Sequence, residues 1–388
     1  MMKAEGFISG RIRFKGNIAV AATAVSFFIM IIAVAISGGF RNEIHRGVTD
    51  ITGDVMLTGA SFNYYSEDDP VSATPSYLDK VKGVKGVESV SPAIFRAGIV
   101  KTGEDIQGVL IKGIPTTDTT SLQVRIPSSL AATLKLKVGD PMLTYFVGER
   151  VKVRKFTVSG IYDNVVDTDE GQIVYASLSD LQRLNGWEED EVTALEVKLD
   201  GRRRSRGDIR MKSIEIGSIC SLYATEEDDR LIAVSSPDKY SRIFDWLDLI
   251  DFNVAAIILL MTIVAGFNMI SGLLILLFRN ISTIGTLKAF GMTDKGIAGV
   301  FLRVSARIVA MGMLIGNAAA LLFCLIQGTT HLIKLNPENY FVSFVPVCIS
   351  VPSVLIADIC AFAGIMLLLL IPTLFISKVD PAQTMRTE

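Results

Sequence analysis

Side chains able to do chemistry are few in this chain and do not converge. It has two histidines, His45 and His331, which is too few for a histidine-based zinc site or a Ser-His-Asp triad. Ser236-Pro-Asp-Lys239 matches the S-x-x-K pattern of acyl-transfer enzymes, but no partner motif follows it. Asp163, Asp167, Asp169 and Glu170 cluster without the spacing of a calcium loop and read as a solvated hairpin turn. Arg202, Arg203, Arg204 and Arg206 read as a solvated loop. No G-x-x-x-x-G-K-[ST] stretch occurs, so any ATP-driven work needs a second chain to hydrolyse the nucleotide. The expected inventory is therefore no catalytic residue, no metal and no directly bound cofactor. With a net charge of -2, a basic surface for nucleic acid is not expected either.

Asp358 and Asn268 are the informative polar residues, because each lies deep in an apolar run. An ionised carboxylate in mid-membrane costs about 3 kcal/mol or more unless paired or wet. Asp358 therefore faces a cavity or a partner, or it sits protonated where two spans abut. Asn268 is expected to favour an interhelical hydrogen bond over lipid.

The elements that place these residues are set by hydropathy. Of 388 residues, 50% are hydrophobic and 20% charged, a mixture that fits several membrane spans plus one folded soluble domain. Four apolar runs, 18–40, 252–278, 297–327 and 344–377, each reach the roughly 20 residues that cross a bilayer. The first is read as a retained span; Ala33-Val-Ala35 offers a signal-peptide cleavage site, but the basic segment before it is long for that. The fold class is an α-helical membrane protein with four transmembrane helices and a large α+β domain, residues 41–251, inserted between helices 1 and 2. In that domain, strands are expected at Val151–Val158 and Gln172–Tyr175, and helices at Pro75–Val81, Ser128–Leu136 and Ser179–Leu184. Cys220 is its lone cysteine, so no internal disulfide holds it.

Lysines and arginines near the spans fall in segment 1–17, in segment 279–296, at Arg303 and Arg307, and in tail 378–388, whereas the short loop 328–343 carries only Lys334. The positive-inside rule then puts both termini and 279–296 in the cytoplasm and residues 41–251 outside. Within 279–296, Ile281, Ile284 and Leu287 are three apart and share one face of a helix that Gly291 terminates. This segment is expected to lie along the membrane surface.

Ile284-Gly285-Thr-Leu287-Lys288-Ala289-Phe-Gly291-Met-Thr293 resembles the coupling segment of FtsX-like ABC permeases, with Thr283 where that family carries an acidic residue. Val264-Ala-Gly-Phe267-Asn268-Met-Ile270-Ser271 resembles a run in the second span of the lipoprotein-releasing branch. Ser37-Gly-Gly-Phe40 and Asp380-Pro-Ala-Gln-Thr-Met385-Arg386 resemble that branch's first-span end and C-terminal tail. The resemblance implies a non-catalytic permease subunit in the bacterial inner membrane. Its partners would be a cytoplasmic ABC ATPase dimer carrying ATP and Mg, a second permease, identical or homologous, a periplasmic carrier protein, membrane lipids and a lipoprotein cargo. It assigns ATPase coupling to Ile281, Ile284, Gly285, Leu287, Lys288, Ala289 and Gly291. The acyl chains of the cargo would meet Phe27, Phe28, Ile31, Ile258, Met261 and Phe267. Alternative readings are an FtsX-type permease that mechanically regulates a periplasmic hydrolase, or a tripartite efflux or toxin-export permease.

Overall fold

The computed structural model describes residues 17–59, 69–116, 121–148, 150–163, 172–201, 205–226, 228–336, 340 and 342–373. The basic segment before Asn17, Asp167, Asp169, Glu170, Arg202 to Arg204 and the tail 378–388 lie outside them. The chain divides into a helical unit, Met1–Phe40, Leu247–Ile333 and Val345–Glu388, and an α+β unit, Arg41–Trp246 and Lys334–Phe344.

The first helix, α1 (Asn17–Thr52), does not stop where apolarity stops at Phe40. It ends where Gly53, at φ +70°, takes the left-handed conformation that only glycine adopts without strain, and donates its N–H to Thr49 O at 2.9 Å.

The α+β unit is built on a nine-stranded sheet. Its strands are β1 (Val55–Gly59), β3 (Val87–Thr102), β4 (Asp105–Ile114), β5 (Gln123–Pro127), β6 (Pro141–Phe146), β7 (Lys152–Tyr162), β8 (Gln172–Ser177), β10 (Ala194–Leu199) and β11 (Leu231–Ser235). They run in the order β11-β1-β10-β3-β4-β8-β5-β7-β6, and a separate pair joins β2 (Val71–Ser72) to β9 (Glu191–Val192). The 16-residue β3 is shared: its first half pairs with β10, its second half with β4, and Ile99–Lys101 also with β6. That last pairing closes β3-β4-β8-β5-β7-β6 into a ring, which leaves those strands without a free edge. Inward residues such as Val100, Ile111, Val124, Met142, Phe156 and Val174 are fully or almost fully buried.

Helices α2 (Leu78–Lys82), α3 (Ser128–Leu134) and α4 (Leu178–Asn185) fall where turn and cap signals predicted them, as do β7 and β8. Two expectations fail. The strands on either side of Asp163 to Glu170 do not pair with each other as a hairpin requires, because β5 lies between β7 and β8 in the sheet. Arg206 is not in a solvated loop: it opens α5 (Arg206–Tyr223) and its guanidinium pairs with Asp245. The signal was present, since Ser205 and Asp208 form a reciprocal capping box and Ile209, Ile216 and Cys220 follow at helical spacing on the buried face. The short α6 (Ser236–Lys239) completes the unit.

The helical unit consists of the first part of α1 with α7 (Ser241–Arg279), α8 (Ile281–Ala289), α9 (Asp294–Thr330), α10 (Val351–Leu368) and the short α11 (Leu370–Thr373). Among the described residues, four helices are long and apolar enough to cross a membrane: Asn17–Thr52, Ser241–Arg279, Asp294–Thr330 and Val351–Thr373. Like α1, α7 exceeds its predicted span, starting before Phe252. The fourth run, expected from residue 344, becomes helical only at Val351. Pro346 and Pro352 disfavour the helical conformation before them. The extended stretch is held by backbone partners: Cys348 N donates to Ala35 O at 2.9 Å, and Gln327 Nε2 to Val345 O at 3.1 Å. Close approach of α1 and α9 depends on Gly316, where a Cβ would strike the Ala24 carbonyl, and on Gly312, where it would lie 2.8 Å from Thr23 Cβ.

Candidate functional site

The candidate site is the turn-helix-turn between the second and third long helices. Asn280 interrupts the helical path after Arg279, its side-chain amide turned back to donate to Leu276 O at 2.8 Å. From Ile281 the chain re-enters a helix, α8, and leaves it at Phe290. Gly291 follows at φ +82°, a conformation predicted by its type, and Met292 N donates to Leu287 O at 3.0 Å. Thr293 caps the next helix by accepting from Gly296 N at 3.3 Å.

One face of α8 is docked and the other is bare. Ile284 is 1% exposed and shares an apolar cluster with Leu276, Leu277, Ile297 and Phe301, while Leu287 packs against its margin. Gly285 is buried beside Ile284. Ile281, Ser282, Thr283, Thr286 and Ala289 are exposed, and Phe290 is 83% exposed. An aromatic ring so open beside a fixed helix is the group that sequence reasoning missed, since an aromatic next to a glycine reads as core or surface alike. Lys288 does not project as a free cation: its Nζ lies 2.9 Å from Asp294 Oδ1, tying the end of α8 to the start of α9. Of the seven residues expected to couple to an ATPase, then, Ile284, Gly285 and Leu287 anchor the segment, Lys288 braces it, Gly291 ends it, and Ile281 and Ala289 face outward.

The six residues expected to meet acyl chains do not face one space. Phe27 and Ile31 are fully buried, Phe28 is half-buried with its ring edge-on to Phe323 at 6.3 Å, Ile258 and Met261 are half-buried, and Phe267 is 61% exposed. Asn268 is exposed beside Phe267 and makes no hydrogen bond to another helix among the described residues. Asp358 does have a partner, Asn317 on α9, whose Nδ2 donates to Asp358 Oδ2 at 2.7 Å. Asn317 drew no attention in sequence because nothing local ties it to a residue 41 positions away.

The α+β unit contains a polar cavity of about 460 Å³ at the end of α1, lined among others by Asp50, Lys112, Arg125, Tyr175, Glu196 and Lys198. Lys112 Nζ donates to the Asp50 and Ile51 carbonyls at 3.0 and 2.8 Å and to Glu196 at 2.8 Å, so a buried ammonium caps the last turn of the helix. Burial lowers the Lys112 pKa and raises that of Glu196, each opposed by the other's charge. Burial, then the nearby Asp50 and Glu196 carboxylates, push the Tyr175 hydroxyl up to about 12. His45 Nε2 lies 3.2 Å from Asp54 Oδ1, and His331 ends α9 in the left-handed conformation. Ser236 and Lys239 sit in α6, with the Lys239 amino group over the Phe95 ring. Among the described residues no three His, Cys, Asp or Glu side chains are placed to hold a metal ion.

Residues 255–381, which include α8 and its flanking long helices, match the FtsX-like permease C-terminal family profile. That stretch is similar to the C-terminal part of FtsX-like permeases. Over nearly its whole length it resembles transmembrane subunits of lipoprotein-releasing systems. It is 22% identical to the lipoprotein-releasing system transmembrane protein LolC of Xylella fastidiosa, across 99% of this chain and 95% of that one. It is 20% identical to LolE of Haemophilus influenzae, across 93% and 92%. The periplasmic region of MacB from Actinobacillus actinomycetemcomitans aligns with 49% of this chain and 91% of its own length, at 14% identity and a TM-score of 0.31.

Proposed function

We propose that this chain is the permease subunit through which a separate ATPase drives extraction of lipoproteins from the bacterial inner membrane and their release to a periplasmic carrier. The observation that carries the reading is α8: a short helix between two spanning helices, half docked in the bundle and half bare, ending in the exposed Phe290. Ile284 and the Lys288–Asp294 pair make α8 move with α9, so a push on its bare face reaches the third span. Each buried methylene of an acyl chain adds about 0.8 kcal/mol of anchoring, so removing several chains needs an energy source, and this chain has no ATP-binding loop of its own. That need supports an ATPase partner, with ATP and Mg held there. A second permease, identical or homologous, is supported by α7. The most apolar window of α7 is only 22% buried, against 44% for α1, and its bare face carries Asn268, a polar group that lipid does not satisfy. Both termini and α8 would then be cytoplasmic and the α+β unit periplasmic.

Purification of the full-length protein in mild detergent is expected to bring down an ATPase with a phosphate-binding loop, a permease and an acylated protein. Phe290→Asp is expected to lower ATPase recovery at least tenfold while membrane insertion stays unchanged. Recovery of the chain alone, or undiminished ATP-dependent release by Phe290→Asp, would count against the reading.

A further inference from the structure

Asp358 takes no part in the site described above, yet it is 7% exposed in the middle of an apolar helix. No other charged residue occurs on α10, on α1 up to Phe40 or on α7 from Phe252 to Phe278. On α9 the nearest charged side chains, Arg303 and Arg307, lie about 15 Å or more along the axis from Asn317. Among the described residues, Asn317 is its one hydrogen-bond partner.

Their one hydrogen bond, from Asn317 Nδ2 to Asp358 Oδ2, leaves an oxygen on each side chain unused. Asp358 Oδ1 and Asn317 Oδ1 are both shut off from solvent, and both lack a hydrogen-bond partner. Two buried acceptors on one hydrogen-bonded pair of side chains are thus left without a donor, an arrangement that buried polar groups avoid. A carboxylic acid O–H answers both at once. With the proton on Oδ1, Asp358 donates to Asn317 Oδ1 while Asn317 Nδ2 donates to Oδ2, the reciprocal ring of an acid and an amide.

We propose that Asp358 binds a proton, and that the resulting neutral acid–amide pair is a clasp between the third and fourth spanning helices. A metal cation is a poorer match, because hard cations take about six or more oxygen ligands and two are on offer. The clasp lies beside Gly316, which seats the same turn of α9 against Ala24 and Phe27 of α1. One level of the bundle is therefore pinned on two sides. Loss of the proton removes the acid's donor and with it one of the two hydrogen bonds, which loosens α10 from α9. The pair is a proton-dependent lock in the membrane.

Infrared difference spectra of the full-length protein in lipid bilayers, wild type against Asp358→Asn, test this directly. The expected result is a C=O stretch of a protonated carboxyl in the wild type that shifts in deuterated water and is missing from Asp358→Asn. Asp358→Asn is also expected to melt at the wild-type temperature, because a second amide restores both hydrogen bonds, whereas Asp358→Ala melts lower. Absence of the band overturns the proposal, and so does an Asp358→Asn variant as destabilised as Asp358→Ala. Should Asp358→Ala fail to insert, the wild-type band decides by itself.

Discussion

Lys112 and Glu196 in the α+β unit are buried charges with their partners assembled around them: two helix-end carbonyls and each other. Asp358 in the helical unit has one amide and no counter-ion. The same contrast holds for packing. The α+β unit closes over side chains, with Phe146 and Phe156 edge to face at 6.3 Å inside the ring of strands. The helical unit is held where side chains are missing, at Gly312 and Gly316. The difference follows from solvent. In water, burying apolar side chains drives folding. Among lipid tails that drive is absent, so close backbone contact and a few polar pairs carry helix association.

The sharpest way to break this comparison is to strand a charge. Lys112→Met leaves Glu196 buried without a counter-ion and is expected to cost the α+β unit about 3–5 kcal/mol, while Lys112→Met with Glu196→Met recovers most of it. Thermal unfolding of the full-length protein, followed by protease sensitivity between Arg41 and Trp246, distinguishes the two. Equal instability of single and double variants would mean that packing, not charge, matters at this site.

Gly316→Ala should act on the other unit, since its methyl meets the Ala24 carbonyl rather than a movable side chain. Overpacking of this kind costs about 1–3 kcal/mol. The loss should appear as a lower melting temperature in detergent with the α+β unit intact. A variant as stable as wild type would show that the helices separate freely.

A smaller effect concerns acid. Hydrogen bonds from the Ser76 hydroxyl, then the Thr225 and Ser76 backbone amides and the Thr225 hydroxyl, hold the Asp228 carboxyl well below the usual carboxylate range. A depressed folded value means that its contribution is complete above about pH 3.9, the ordinary aspartate value, and is lost as pH falls toward the folded one. Asp228→Asn is therefore expected to be slightly less stable at neutral pH and to lose less on acidification. Parallel acid titrations of the two proteins would refute this.

The least perturbing measurement is thiol labelling. Burial pushes the Cys220 thiol up to about 11, so a maleimide at neutral pH should leave it unmodified until denaturant is added. Prompt labelling in the native protein would show that α5 opens locally.

Much of the helical unit was legible because its signals are local. Ile281, Ile284 and Leu287 at a spacing of three placed a helix, Gly291 ended it, and the uncharged runs marked four spans. The exposed ring of Phe290 escaped notice because an aromatic beside a glycine reads as core or surface alike. In the α+β unit, short strands with alternating residues were visible, but their neighbours were not. β5 inserts between β7 and β8, and β3 divides itself among three partners.

Residue order alone determined where the chain is apolar enough to enter lipid and where it turns, because each depends on residue type within a few positions. Tertiary structure decided which of the isolated polar groups meet. Lys112 finds Glu196 across 84 residues and Asp358 finds Asn317 across 41, while Asn268 finds none among the described residues. Pairing at such separations is set by strand register and helix packing, which are properties of the whole unit rather than of any window of sequence.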